Sequence, residues 1–260
     1  EQGLESSSAQ EGFIHAREIL VGAASLEEIS LPVRLLKGAY VLEPSRFRLH
    51  GGVLDLEELE ISPWGPRGSI ARAVIRARGL EILDIARSHG LPLFPGRLDI
   101  DFEPLLLEGS RVESNGTIAL KAFGGEMTFV DLTLENIARP YSDLRLREGI
   151  VHRVRLGEVG KTFHFGVMSG VLEGTVRNLG FTGGELTSFD VDVQTVPVRG
   201  VPQYLNRGAI ESIRRVFTGP LGTLEESFFS KFRYADFGFW ARLEDGVFRL
   251  RGKHREGEAE

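Results

Sequence analysis

TSFDVDVQT, residues 187–195, sets Phe189, Val191 and Val193 at alternate positions, with Asp190, Asp192 and Gln194 between and after them. Successive side chains of a β-strand point to opposite faces, so the stretch reads as a strand with one oily and one wet side. Such strands belong to antiparallel sheets that face water on one side. The same alternation appears upstream in KTFHFGV (161–167), where Phe163, Phe165 and Val167 share a parity. It appears downstream in FGFWARL (237–243), with Phe237, Phe239, Ala241 and Leu243 on one face. All three segments are expected as strands.

Working outward, strand patterns fill most of the chain: FIHAREILVG (13–22), LEEISLPVRLL (26–36), AYVLEPSRFRLH (39–50), GGVLDLEELEIS (51–62) and RGSIARAVIRARGL (67–80). They resume at PGRLDIDFEPL and run to Val198. In GGVLDLEELEIS the parity slips, since Leu54 and Leu56 are even while Leu59 and Ile61 are odd. A bulge near Glu57 and Glu58 would restore a single apolar face. Glycine-led segments punctuate the pattern: HGGVL (50–54), PGRL (95–98), FGGEM (123–127), EGIV (148–151), SGVL (169–172), TGGEL (182–186) and DGVF (245–248). Each reads as a hairpin turn entering a strand. Their spacing is uneven, which favours a meander of hairpins over a strict repeat.

Helical spacing is confined to a few places. LEILDIARSHGL (80–91) sets Leu80, Leu83 and Ala86/Arg87 on one side. Near the end, PQYLNRGAIESIRRVF (202–217) is expected to form a helix with Pro202 in its first turn and Leu205, Ala209, Ile213 and Phe217 as its stripe. Thr223 and Glu226 form a capping box for a second helix, with Leu224, Phe228 and Phe232 as its stripe. The organisation expected is a polar linker over 1–11, a β-sheet region over 12–200 with its helical insert near 80–91, a helical cap and final hairpin over 201–252, and a polar tail over 253–260.

A net charge of −6 gives no overall pull towards nucleic-acid phosphates. The absence of cysteine excludes disulfides, zinc–thiolate sites and a cysteine nucleophile. No apolar run reaches the roughly 18 residues that span a bilayer. With Glu at position 1, the chain is expected to be part of a longer protein.

Catalytic motifs are lacking. Gly160-Lys161-Thr162 has its upstream glycine, Gly157, too close for a phosphate-binding loop. His15, His50, His89, His152, His164 and His254 are scattered singly, without the paired spacing of metal ligands. Asp99/Asp101 and Asp190/Asp192 are carboxylate pairs of the kind used for calcium or glycoside chemistry, and they also suit a solvated sheet face. GxSxG does not occur. The expectation is a protein that is not an enzyme, with no cofactor and no metal.

The tail resembles the C-terminal signature of the AsmA-like family of intermembrane lipid-transfer proteins. The matching residues are Asn206, Ala209, Ile210, Ser212 and Ile213, then Phe229, Phe232 and Tyr234, then Leu243, Gly246, Val247, Leu250 and Gly252. GLEILDIARSHGLPLFPGRLDIDFEPLLLEG (79–109) and FGGEMTFVDLTLEN (123–136) are similar to other segments of that family, so the likeness covers roughly residues 80–252.

The resemblance implies a mainly β fold, an antiparallel hairpin meander curled into an open, apolar-lined groove with short amphipathic helices near the C-terminus. It implies a periplasmic bridge whose groove binds phospholipid acyl chains for transport between inner and outer membranes. The parent protein would be anchored in the inner membrane, and membrane proteins would meet the ends of the groove. The groove-facing set expected from alternation is Phe163, Phe165, Val167, Phe189, Val191, Val193, Phe237 and Phe239. Alternation alone equally fits two stacked sheets. A β-sandwich carbohydrate-binding or adhesion module, with Trp64 or Trp240 stacking on sugars, therefore stands as the alternative.

Overall fold

The computed structural model describes residues 10–21, 24–65, 68–89, 93–137, 142–210, 212 and 231–253. Fourteen strands form one antiparallel sheet and three short ones form another. β1 (Gln10–Val21) pairs with β2 (Ala24–Leu36), so pairing begins within the segment read as a linker over 1–11. β3 (Ala39–Leu42) and β4 (Ser45–Leu49) lie end to end along one edge of β5 (Gly52–Gly65). Glu43 and Pro44 separate them, where the missing proline N–H interrupts the ladder.

β6 (Gly68–Glu81) leads into α1 (Ile82–His89), whose buried Ile82 and Ala86 stand one turn apart. Next come β7 (Gly96–Glu108), β8 (Arg111–Ala122), β9 (Gly125–Glu135) and β10 (Asp143–Arg155). α2 (Leu156–Thr162) and β11 (Met168–Ser169) separate β10 from β12 (Val171–Thr182) and β13 (Glu185–Val196). β14 (Tyr204–Asn206) and β15 (Lys231–Arg233) join β11 in the small sheet. The hairpin of β16 (Gly238–Glu244) and β17 (Val247–Gly252) returns to the large sheet by pairing with β13.

Spatial order in the large sheet follows chain order from β1 to β17, a meander with two ends. No pairing among the described residues joins β1 to β17, so the sheet is not a closed barrel. Five connections are two-residue turns with positive φ at both positions: Lys37-Gly38, His50-Gly51, Phe123-Gly124, Gly183-Gly184 and Asp245-Gly246. This is the backbone of turns that match strand twist. Three of the expected hairpin turns are something else. Gly96 opens β7 after the α1 insertion, Gly149 lies inside β10, and Gly170 leads from β11 of the small sheet into β12 of the large one. A Cβ at Gly149 would run into the ring of its cross-strand partner Phe129, so the glycine makes room for an aromatic rather than for a turn.

The parity slip in β5 is a register shift between Leu56 and Glu58, and it is the first of a row. β6 and β7 shift between Ala73/Leu105 and Ile75/Phe102, so that Glu103 and Pro104 together stand against the single Val74. β8 shifts between Ser114 and Thr117, opposite Asp131 of β9, whose φ is 56°. Arg147 of β10 and Asn178 of β12, with φ of 53°, continue the line. On β10, Arg147 and Glu148 are both exposed while Leu146 and Gly149 on either side are both buried. Each irregularity therefore lets the apolar side resume, and together they bend the long strands along one transverse crease.

Three other expectations change. KTFHFGV is no strand: Lys161 and Thr162 end α2, and Phe163–Val167 is a turn with positive φ at His164 and Gly166. Pro202 does not begin a helix, because Tyr204–Asn206 is a strand and helical backbone starts at 207. Phe232, expected on the stripe of the second helix, lies in the strand β15; the remaining stripe residues Ile213, Phe217, Leu224 and Phe228, and the capping box at Thr223 and Glu226, lie outside the described residues.

Gly116 sits in the crease, where a Cβ would collide with the Asp101 carbonyl. Gly116→Ala should lower stability by about 2 kcal/mol or more in urea unfolding, whereas Gly252→Ala, with open space around it, should change it by less than about 0.5 kcal/mol.

Candidate functional site

Residues directly opposite one another in a ladder share a face, so the register assigns sides. Val193 pairs with Phe239 and with Gly174, which pairs with Val151, which pairs with Met127. Met127 faces Leu120, and Leu120 faces Leu98, which faces Leu80. A second row runs Leu179–Leu146–Leu132–Ser114–Leu105–Ala73–Leu59–Leu42–Val33. This face is apolar in both rows apart from Ser114, whose hydroxyl donates to the Pro104 carbonyl at 3.1 Å.

The opposite face carries the charges. Arg76 bridges Glu57, Asp101 at 3.4 Å and Glu103 at 2.6 Å, holding β5, β6 and β7 together beside the crease. Arg147 pairs with Asp131, and Arg111 with Glu113 and Glu135. These are exposed pairs, each worth little, and their collective effect is to keep this side wet.

Burial separates the two ends of the strands. Along the middle of the apolar face, Ile100, Ile118, Phe129, Val176, Val191 and Phe239 are only half-buried although each lies between two paired strands. Phe102, Leu132 and Leu146 are buried by their neighbours on the same face, in a cluster with Ile75, Leu105 and Leu179. Among the described residues no large side chain is fully enclosed.

The strand ends that carry α1, α2, β11, β14 and β15 are different. Here Phe94 and Val159, together with Leu120, Met127 and Leu172, pack against the buried Ala122, Phe123, Val151 and Val154. Next to them Leu156, Met168, Leu205 and Ala209 form a second cluster with Phe165, Tyr234 and Phe237. The insertions cover one end of the face.

Of the expected residues, Phe189, Val191, Val193 and Phe239 share the apolar face. Phe237 lies just before β16; its N–H donates to Thr195 Oγ1 at 3.0 Å, and its ring stands 5.7 Å from Tyr234 and 6.1 Å from Phe239. Phe163 leaves this group and joins a chain of rings, 5.9 Å from Phe123 and 5.9 Å from Phe165. Val167 is 51% exposed, with its N–H bonded to Asn206 Oδ1 at 3.0 Å. Phe163 and Phe165 stay stacked on one another while Val167 turns to solvent, because positive φ at His164 and Gly166 bends the backbone away from a strand.

Two polar residues that alternation does not reveal hold the covered end. Asn206 Oδ1 accepts the Ala209 N–H at 2.7 Å as well as that of Val167, capping the helical turn that starts at 207. The Tyr234 hydroxyl donates to the Ser169 carbonyl at 2.6 Å, and burial pushes its pKa up to about 12. Asparagine three residues before Ala209 was a legible cap signal, whereas the Tyr234 contact spans 65 residues of sequence.

The acidic pairs are engaged in the sheet. Asp99 accepts the Gly79 N–H at 2.7 Å and pairs with Lys121 at 3.3 Å; the Gly79 bond leads in holding its carboxyl below the usual range, against a smaller opposing effect of burial. Asp190 accepts the Trp240 Nε1–H at 2.9 Å, and Asp192 pairs with Lys253. Arg251 lies 5.9 Å from the Trp240 ring centre, so that indole already has partners on its edge and face. Gly160-Lys161-Thr162 closes α2 rather than preceding a helix. Among the described residues no group of three His, Asp or Glu side chains converges as a metal site, and no helix is long and apolar enough to cross a membrane. Comparison with family models, with curated proteins and with solved structures found no match to this chain.

The raised Tyr234 pKa has a pH signature. Between its ordinary value of 10 and about 12, the unfolded chain has lost the proton that the folded chain keeps, so stability falls as pH rises through this window. Tyr234→Phe should flatten that slope in melts recorded from pH 9 to 12. Asn206→Ala should remove about 1 kcal/mol of stability at neutral pH by uncapping the turn.

Proposed function

We propose that this chain is the C-terminal part of an AsmA-like lipid-transfer protein, and that the apolar face of the large sheet lines an open groove for phospholipid acyl chains. The observation that carries the reading is the exposure pattern. Apolar side chains in the middle of paired strands, such as Val191 and Phe239, stay half-exposed. In a sandwich a second sheet about 10 Å above would exclude water from such positions. Among the described residues the other sheet has three strands of two or three residues each, and its Met168 and Leu205 cluster with the covered end of the face. An apolar surface running over so many strands is far larger than the patches soluble monomers tolerate without a use for them.

Acyl chains are the ligand such a face suits. Their transfer from water gains about 25 cal/mol per Å² of apolar area and requires no directional partner. The reading places head groups outside the groove, the protein in the periplasm and its parent at the inner membrane, with other membrane proteins as partners at the groove ends. Phe189, Val191, Val193 and Phe239 are the contact residues proposed on the face, with Phe237 at its edge and Phe163 and Phe165 among the rings near its covered end.

Native mass spectrometry of the purified chain should detect co-purified phospholipid. Val191→Asp should melt close to the unaltered protein, because an open face leaves the new carboxylate in water, yet its lipid occupancy should fall about tenfold or more as the charge interrupts the oily path. Asp192→Asn, one residue along on the wet side, should leave occupancy unchanged. A Val191→Asp protein that fails to fold would instead favour a sealed core, and lipid-free preparations from every host would remove the proposal.

A further inference from the structure

Past β13 lies a cleft that has no part in the apolar face. The chain turns at Arg199 and Gly200, closed by a bridge between Val198 and Val201. Beside this turn β14 pairs with β15, with Tyr204 opposite Arg233. Between them is a cleft of about 940 Å³ whose lining includes Arg199, Gln203, Tyr204, Arg233 and Tyr234 and no carboxylate.

Its polar groups are unbalanced in one direction. Arg199 and Arg233 are both exposed and have no ion-pair partner among the described residues. On the large sheet Arg46, Arg76, Arg78, Arg111 and Arg147 are each met by a carboxylate, while Arg48, Arg72, Arg145, Arg153 and Arg249 have no ion pair among the described residues, so it is the lack of any carboxylate in its lining that marks this cleft. The Gln203 side-chain Nε2 is shut from solvent and has no hydrogen-bond partner among the described residues. A buried donor left unmet is destabilising and marks a place where a further acceptor belongs. Two cations and an N–H that lack partners among the described residues, in one cleft without a carboxylate, are an arrangement for which an anion supplies what is missing.

We infer that this cleft binds a phosphate-type oxyanion, with the guanidinium groups of Arg199 and Arg233 as donors and the amide of Gln203 rotating out to donate a further bond. Guanidinium forks match pairs of phosphate oxygens, and a tetrahedral anion has a further oxygen left for the amide. A phospholipid head group and free phosphate share this chemistry. None of the residues proposed to touch acyl chains lines the cleft, so the site stands or falls separately from the groove.

The test is calorimetric titration of the purified chain with inorganic phosphate and, in a second arm, with dihexanoyl phosphatidic acid below its micelle concentration. At least one should bind, more weakly as salt rises. Arg199→Gln and Arg233→Gln should each lower the affinity about tenfold, with Arg233→Lys losing less than Arg233→Gln. Both arginines are exposed, so these variants should melt normally. Gln203→Leu should bind more weakly while melting no lower, since it removes the orphan donor. Binding of both probes supports a site for the free anion, and binding of the lipid alone supports a head-group site. Failure of both to bind, or affinities untouched by the arginine changes, overturns the inference.

Discussion

The geometry of the antiparallel ladder governs everything else in this protein. Once Val193 is opposite Phe239 and Leu146 is opposite Leu132, the pleat commits every neighbour on those strands to one side or the other. A one-residue slip in any strand would move its aliphatic side chains into water and its carboxylates onto the oily side. Register is therefore held from two directions, by aliphatic contact on one face and by cross-strand ion pairs such as Arg76 with Glu57, Asp101 and Glu103 on the other.

Strands of twelve to fourteen residues cannot keep a perfect alternation and also bend. The crease resolves the conflict by adding residues at matching heights in successive strands. One gap in the oily alternation appears at Glu57, another between Phe129 and Leu132, and another between Leu146 and Gly149. Because they align, the bend belongs to the sheet rather than to any single strand.

How much of this could be read from residue order depends on the range of the interaction. Alternation is local, so β13, β16 and β17 were legible letter by letter, and the parity slip in β5 disclosed its own bulge. The same slip was present in β9 and β10, but its meaning lies in its alignment across strands, which only pairing reveals. Phe163, Phe165 and Val167 alternate as neatly as any strand, yet positive φ at His164 and Gly166 makes their segment a turn, with the two rings stacked together and Val167 in solvent. Gly149 looked like punctuation because the reason for it, the Phe129 ring, is twenty residues away along the chain. Of the groove-facing set, the members on β13 and β16 came together; those on the α2 turn did not.

The sameness of the apolar rows has a consequence for anything moving along them. From β1 to β17 the sheet order comprises thirteen strands, and at about 4.8 Å per step the face extends roughly 60 Å. Apart from Ser114 and the small side chains of Ala73 and Gly174 the two rows present leucine, valine, methionine or phenylalanine, so under the proposed function a hydrocarbon displaced by one strand would exchange one largely apolar set of neighbours for another. Under that reading the free-energy profile along the coordinate would be close to level. A level track permits travel in both directions at equal rates and supplies no bias of its own. Under the proposed function, any net flow over this surface would be set by the difference in chemical potential between its two ends.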